Sequence, residues 1–121
     1  MAVHLAKKFN GEVVSADSRQ VYRGLNIGSG KILKKEMKGV PHHLLDIASP
    51  RQTFTVVQYQ KLARKAINDI LRRGKLPILC GGSGFYIKAV VDGLRLPPVP
   101  ANSKLRAALA GESPRELFAR I

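Results

Sequence analysis

The chain has 121 residues, 45% hydrophobic and 24% charged, which suits one folded domain or part of one. Its 21 Lys and Arg against 8 Asp and Glu give a net charge of +13, which favours polyanions, nucleic acid first among them. A solvated basic surface, or the basic part of a longer protein, would give the same balance. The single cysteine, Cys80, excludes an internal disulfide and predicts a buried, reduced thiol in a cytoplasmic protein. With no apolar run near the ~20 residues of a membrane span and no signal-peptide pattern at the start, we expect no membrane association.

The first elements are predicted from short signals. Residues 1–10 are typical of the end of a helix, because Lys7 and Lys8 suit a helix C-terminus and Gly11 acts as a stop. Residues 12–16 are predicted to form a strand and residues 44–47 a second one. Between them we expect a glycine-rich loop over 22–30 and a short basic helix or turn over 31–39.

The clearest predicted element is a helix over residues 56–73. Apolar residues recur at the three-and-four spacing of one buried stripe: Tyr59, Leu62, Ala63, Ala66, Ile67, Ile70 and Leu71. Thr53 or Thr55 can cap its start, and Gly74 can end it. A strand over 76–80 follows at once, and the order strand, helix, strand implies a right-handed crossover and a parallel sheet.

The last third is predicted to be helical with one interruption. Residues 85–91 form a helix closed by Asp92 and Gly93, and the proline-rich residues 96–100 are typical of a linker. Residues 101–121 indicate two short helices with Ser103 and Ser113 as caps. Because the first and last helices lack a start cap and an end signal respectively, we expect a chain truncated at both ends.

Polar residues follow two of the predicted strands. The stretch from Ser15 to Gly24 follows the apolar pair Val13 and Val14, and a glycine loop from Gly81 to Gly84 follows Cys80. Open α/β folds bind ligands at the carboxyl ends of their strands, so these two stretches suggest one shared site. The glycines alone are equally consistent with a tight turn between strand and helix.

These two segments, with Gly39 to Asp46 between them, resemble the tRNA dimethylallyltransferases from about residue 2 to 96, and more loosely to 121. The resemblance implies an α/β fold: a parallel-sheet, P-loop nucleotide-kinase-like core lacking its phosphate loop. The core would span residues 1–96, and the start of a helical tRNA-binding insertion residues 97–121. Members of the family transfer a dimethylallyl group from dimethylallyl diphosphate to N6 of an adenosine beside the tRNA anticodon.

The resemblance also assigns roles to single residues. It implies that Asp17 is the general base, which takes the proton that the alkylated amine must lose. Ser83, usually a threonine in the family, would supply a catalytic hydroxyl in the channel where acceptor and donor meet. The tRNA anticodon stem-loop would be contacted by Asp17, Ser18, Arg19, Gln20 and Ser83. From local sequence alone, an Asp that caps a turn and a Gln without a role are the ordinary interpretations.

Further cations could extend the phosphate contacts, although a solvated charge is the default for each of them. They are Arg23, Lys31, Lys34, Lys35 and Lys38.

No phosphate-binding loop is found in the sequence. Gly28 to Lys31 looks like one, but Leu25 and Ile32 stand where glycine and Ser or Thr are needed. In the family such a loop precedes the first helix and holds the diphosphate together with Mg²⁺. We therefore expect this chain by itself to be a weak catalyst or inactive.

No metal-ligating residues are predicted, because His42 and His43 are adjacent and would point to opposite faces of a strand. Three alternatives stay open: an adenylate isopentenyltransferase, a small-molecule phosphotransferase, and a non-catalytic RNA-binding fragment. The charge of +13 argues against the first of these. We expect a monomer.

Overall fold

The computed structural model describes residues 1–95 and 102–120. Three strands form a parallel sheet in the order β2-β1-β3, with helices on both faces, so the predicted α/β class is confirmed. The elements in chain order are α1 (Ala2–Lys8), β1 (Gly11–Ser15), α2 (Lys34–Met37), β2 (His42–His43), α3 (Val56–Arg72), β3 (Leu76–Cys80), α4 (Gly84–Val91), α5 (Ser103–Leu109) and α6 (Pro114–Phe118).

Strand β1 is central and its side chains alternate between two apolar cores. Val13 packs with Ala6 of α1 and with Val40 on one face of the sheet. Val14 lies on the other face, in the core that contains Tyr59 of α3 and Tyr86 of α4. Because both faces are covered, all of β1 after Gly11 is buried. The sheet is therefore a rigid support for the residues that follow β1 and β3.

Helix α3 begins and ends as predicted, with Thr55 as its cap and Gly74 in the left-handed conformation just after it. The burial predicted for two residues of the stripe is wrong, because Leu62 and Leu71 are 37% and 54% exposed. Gln60 takes a buried place instead, and its side-chain amide donates to the carbonyl oxygens of Ala89 and Leu94. A polar side chain thus fastens α3 to α4.

Three other local predictions need correction. The strand expected over 44–47 lies at His42–His43, since Leu44 and Asp46 have φ values of 66° and 55° that no strand can continue. Gly11 does not stop α1 but begins β1, and Asn10 makes the turn instead with φ of 50°.

The third correction concerns Cys80, which is exposed and not buried. It ends a strand that has one neighbour in the described part of the sheet, so its outer side is uncovered.

The last two helices are described without their connection to the core. Asn102, not Ser103, caps α5, whereas Ser113 caps α6 and forms the predicted capping box with Glu116. The predicted linker at 96–100, the domain boundary at 96/97 and Ile121 lie outside the described residues. None of the helices in the described part of the chain is long and apolar enough to cross a membrane.

Candidate functional site

The segments that follow β1 and β3 lie side by side. The backbone N–H of Ala16 donates to the carbonyl of Cys80 at 2.8 Å, and the N–H of Ser83 donates to the carbonyl of Ala16 at 3.0 Å. Gly81 permits this approach, because a Cβ there would lie 2.3 Å from the carbonyl carbon and oxygen of Ala16. The two polar segments singled out in the sequence therefore form one surface.

Asp17 and Ser83 organise this surface with their side chains. Oδ1 of Asp17 accepts hydrogen bonds from the backbone N–H groups of Arg19 at 2.8 Å and Gln20 at 3.2 Å. Oγ of Ser83 accepts from the N–H of Ser18 at 2.8 Å and donates to the Ser18 hydroxyl at 3.0 Å. All five predicted site residues thus belong to one hydrogen-bonded cluster, in which Ser83 is joined to the turn that runs from Asp17 to Gln20.

The Asp17 carboxylate has one engaged oxygen and one freer oxygen. Oδ1 caps the turn, as the ordinary interpretation of an Asp after a strand requires. Oδ2 has a single long contact, 3.5 Å from Nε2 of Gln20. Capping the turn and accepting a proton are therefore compatible, since they use different oxygens of one half-buried carboxylate.

The side chains of Gln20 and Arg19 differ in their contacts: Gln20 bonds within the protein, whereas Arg19 faces solvent. Nε2 of Gln20 also donates to the carbonyl oxygens of Ser29 and Gly30, both at 3.4 Å, so this amide joins the Asp17 turn to the following loop. Arg19 is exposed, and among the described residues no carboxylate lies within ion-pair distance of its side chain. Its guanidinium can bind an anion from solution.

Lys31 does not serve as a phosphate contact, contrary to the expectation for it. Its side chain is buried, donates to the carbonyl of Tyr22 at 2.6 Å and pairs with the Asp46 carboxylate at 2.5 Å. The Gly28 to Lys31 segment therefore cannot act as a phosphate loop, because its only lysine is held inside the protein. The other proposed cations are exposed: Arg23, Lys34, Lys35 and Lys38.

Glu12 is a buried acid that the sequence analysis missed. Its carboxylate accepts from Arg73 at 2.5 and 2.8 Å, from Lys75 at 2.8 Å and lies 2.7 Å from Nε2 of His43. The hydrogen bond from Arg73 holds the pKa of Glu12 well below its usual range, and Lys75 and His43 act in the same direction. An acid inside the apolar strand β1 was the available signal, since such an acid needs cationic partners.

Two stacked tyrosines lie beneath the end of β1. The rings of Tyr59 and Tyr86 are 3.9 Å apart at 14°, and the Tyr59 hydroxyl donates to the carbonyl of Ser15 at 3.0 Å. Burial raises the pKa of both hydroxyls above the ordinary value. The stack fixes the backbone two residues before Asp17.

A cavity of about 270 Å³ opens beside the turn, and its wall includes Ser15, Gln20, His42 and Cys80. His42 uses Nδ1 to contact the carbonyl of Val40 at 2.9 Å. Residues 1–95 and 102–120 contain no group of three or more His, Cys, Asp or Glu side chains that could hold a metal ion.

A parallel sheet with polar turns at its strand ends defines an open α/β ligand-binding core. The family model described as IPP transferase matches residues 20–121, and this chain belongs to that family. The tRNA dimethylallyltransferase of Anoxybacillus flavithermus is 47% identical over 121 residues, which is 100% of this chain and 39% of that protein. The tRNA dimethylallyltransferase of Acidothermus cellulolyticus is 52% identical over 123 residues, again 100% of this chain and 39% of that protein.

Solved structures agree with the family. A full-length tRNA isopentenylpyrophosphate transferase from Bacillus halodurans superposes with a TM-score of 0.78 at 44% identity, covering 98% of this chain and 40% of that one. A eukaryotic dimethylallyltransferase acting on tRNA gives a TM-score of 0.80 at 30% identity, covering 98% and 30%. The chain spans about two-fifths of the length of the curated relatives cited.

Proposed function

We propose that this chain forms the acceptor side of a tRNA dimethylallyltransferase. In this role it holds an adenosine beside the anticodon while N6 receives a dimethylallyl group from dimethylallyl diphosphate. The observation that carries the proposal is the joining of the Asp17 turn to Ser83, which presents a carboxylate at the edge of a rigid sheet. The net charge of +13 suits an RNA acceptor better than a free nucleotide.

The proposed reaction assigns one step to Asp17. N6 of the adenosine attacks the first carbon of the donor; a C–N bond forms, the C–O bond breaks and diphosphate leaves. The new secondary amine carries an extra proton, which Oδ2 of Asp17 accepts. Oδ1 stays bonded to the backbone of Arg19, so the carboxylate keeps its orientation during the transfer.

The neighbouring residues position the acceptor. Ser83 and Ser18 hold the turn that carries Asp17, and the exposed Arg19 binds phosphate or sugar of the tRNA. The cavity beside Gln20 and Cys80 gives the reacting groups a place to meet. These contacts act by fixing a near-attack geometry, which accounts for a large part of many enzymatic rate enhancements.

The remaining parts of the proposal rest on the family. Mg²⁺ would accompany the diphosphate and stabilise its negative charge. Residues 97–121 would begin the helical insertion that surrounds the anticodon arm. The protein would act as a monomer in the cytoplasm, where its tRNA substrate is used.

The test compares wild type with Asp17→Asn, using a synthetic anticodon stem-loop and labelled dimethylallyl diphosphate. Because this chain by itself is expected to be a weak catalyst, transfer is followed with protein in excess over RNA. We expect the substitution to lower the rate that wild type shows by about 10²–10⁴-fold, because it removes the proton acceptor. Affinity for the stem-loop should stay within about threefold of wild type, since the amide can still cap the turn. Wild type that binds a stem-loop lacking the target adenosine as tightly as the intact one would contradict the proposal.

A further inference from the structure

Two buried tyrosines connect the helices beneath the sheet to both segments of the candidate site. The Tyr59 hydroxyl of α3 donates to the carbonyl of Ser15, which lies two residues before Asp17. On α4, the backbone N–H of Tyr86 donates to the carbonyl of Ser83 at 2.9 Å. Because the two rings are stacked on each other, Asp17 and Ser83 are linked through one pair of side chains.

The two rings lie closer together than is usual for aromatic pairs. Such pairs prefer offset or edge-to-face arrangements with centroids about 4.5–7 Å apart. The rings of Tyr59 and Tyr86 are nearly parallel, at 14°, and their centroids are 3.9 Å apart. They are 0% and 7% exposed, and the Tyr59 hydroxyl is bonded to Ser15. Neither ring can therefore turn without opening the core or breaking that bond, which makes the stack a rigid support.

The Tyr59 hydroxyl is a permanent donor to the end of β1. Burial raises the pKa of this hydroxyl above its ordinary value, so the group stays protonated. Its acceptor is the carbonyl of Ser15, the last residue of β1, which is 6% exposed. A phenylalanine would fill the same space but would leave this carbonyl without its donor. The ring and the hydroxyl of Tyr59 thus have separable functions, since the ring fills the core and the hydroxyl fixes the strand end.

We propose that the Tyr59 hydroxyl is a positioning group for the transfer reaction, which fixes Asp17 relative to Ser83. The inference rests on the proposed function, in which Asp17 accepts the proton. The hydroxyl holds Ser15, and the next residue, Ala16, bonds through its N–H and its carbonyl to β3 and the segment after it. Loss of the hydroxyl frees one of these backbone groups directly before the carboxylate. A displacement of about 1 Å at a reacting group can lower a rate by about 100-fold.

The experiment compares Tyr59→Phe with Glu12→Gln in the whole chain. Both substitutions should destabilise the fold, but Glu12 lies near the start of β1, at the far end of the strand from Asp17. The first measurement is hydrogen exchange by NMR at the N–H groups of Ala16 and Ser83, each compared with the slowest-exchanging amides of α3 in the same variant. In Tyr59→Phe this relative exchange should rise by about threefold to tenfold, the effect of losing one hydrogen bond. In Glu12→Gln it should stay within about twofold of wild type.

The second measurement is transfer to an anticodon stem-loop with protein in excess over RNA. Tyr59→Phe should lower the rate that wild type shows by about tenfold to a hundredfold, while affinity for the stem-loop stays within about threefold. Glu12→Gln should retain both the rate and the affinity.

Two results would overturn the inference. One is unchanged exchange at Ala16 and Ser83 in Tyr59→Phe. The other is a transfer rate that falls by the same factor in both variants, which would make Tyr59 a contributor to stability alone. The exchange measurement needs no turnover, so it decides on Tyr59 by itself. Wild type that binds RNA without regard to the target adenosine would contradict the proposed function and would leave the exchange result intact.

Discussion

At the scale of single residues, Gly81 is the position that decides whether the two halves of the candidate site can meet. A side chain there would collide with backbone atoms of Ala16 at 2.3 Å, so one of the two segments would have to move. We expect Gly81→Ala to lower the free energy of unfolding by about 1–3 kcal/mol, the usual cost of overpacking. Urea unfolding followed by circular dichroism measures the change.

The adjacent glycine is the control for this substitution. Gly82 has open space where a Cβ would be and no positive φ, so Gly82→Ala should change the free energy of unfolding by less than about 0.5 kcal/mol. Equal unfolding midpoints for the two variants would show that β3 and the turn after β1 do not come this close in solution.

Some residue-level features follow from local patterns and others do not. Asp17 and Ser83 could be placed at one edge of the sheet, because residues after parallel strands meet there. The burial of Lys31 could not be predicted, because its partner Asp46 is brought near by the left-handed turns that end β2. The ion cluster around Glu12 could not be predicted for the same reason, because its partners Arg73 and Lys75 are more than sixty residues away in the sequence.

At the scale of elements, the start of β1 is fastened to the end of α3 through Glu12. The hydrogen bond from Arg73 lowers the pKa of Glu12 in the folded state, so this carboxylate stabilises the fold above its ordinary pKa of 4.5. That contribution is lost as the pH falls from there toward the folded pKa. We expect Glu12→Gln to lower the unfolding free energy at pH 7 by about 1–3 kcal/mol and to weaken its pH dependence below about pH 4.5.

Urea titrations at pH 7, 5, 4 and 3 measure both effects. Asp92→Asn is the matched control, since it also removes one negative charge but from an exposed helix end. It should change the free energy by less than about 0.5 kcal/mol at pH 7. An unchanged acid dependence in Glu12→Gln would contradict the role given to this cluster.

Elements differ in how well their sequence defines them. Helix α3 has 17 residues with a regular apolar stripe and a capping box at Thr55, so its limits were predicted almost to the residue. Strand β2 has two residues, too few for any alternation, and it was misplaced onto the more apolar Leu44 and its neighbours. The burial of Gln60 depends on its side chain reaching α4, which is a tertiary hydrogen bond and leaves no periodic signal.

At the scale of the whole molecule, the basic residues behind the charge of +13 lie on several separate elements. Helix α2, which follows the loop after the Asp17 turn, exposes Lys34 and Lys35, whereas α3 exposes Lys61 and Lys65. We expect RNA that lies along the edge carrying Asp17 to place its phosphates against the lysines of α2. Each phosphate that a lysine neutralises then releases its bound counterion. Wild-type affinity for the stem-loop should therefore fall with salt at a log–log slope of about −2 or steeper, which corresponds to about three phosphate contacts.

Charge reversal on each side then locates the RNA. Lys34→Glu with Lys35→Glu should make the slope shallower by about one to two, because each lost phosphate contact removes roughly 0.7 to 0.9 from it. Lys61→Glu with Lys65→Glu changes the net charge by the same amount and should reduce affinity through the general field, with the slope nearly unchanged. Fluorescence anisotropy of a labelled stem-loop between about 50 and 200 mM salt covers the range in which such slopes are measured. Identical slopes for the two double variants would mean that the protein attracts RNA through its net charge alone. That result would contradict phosphate contacts between the RNA and α2.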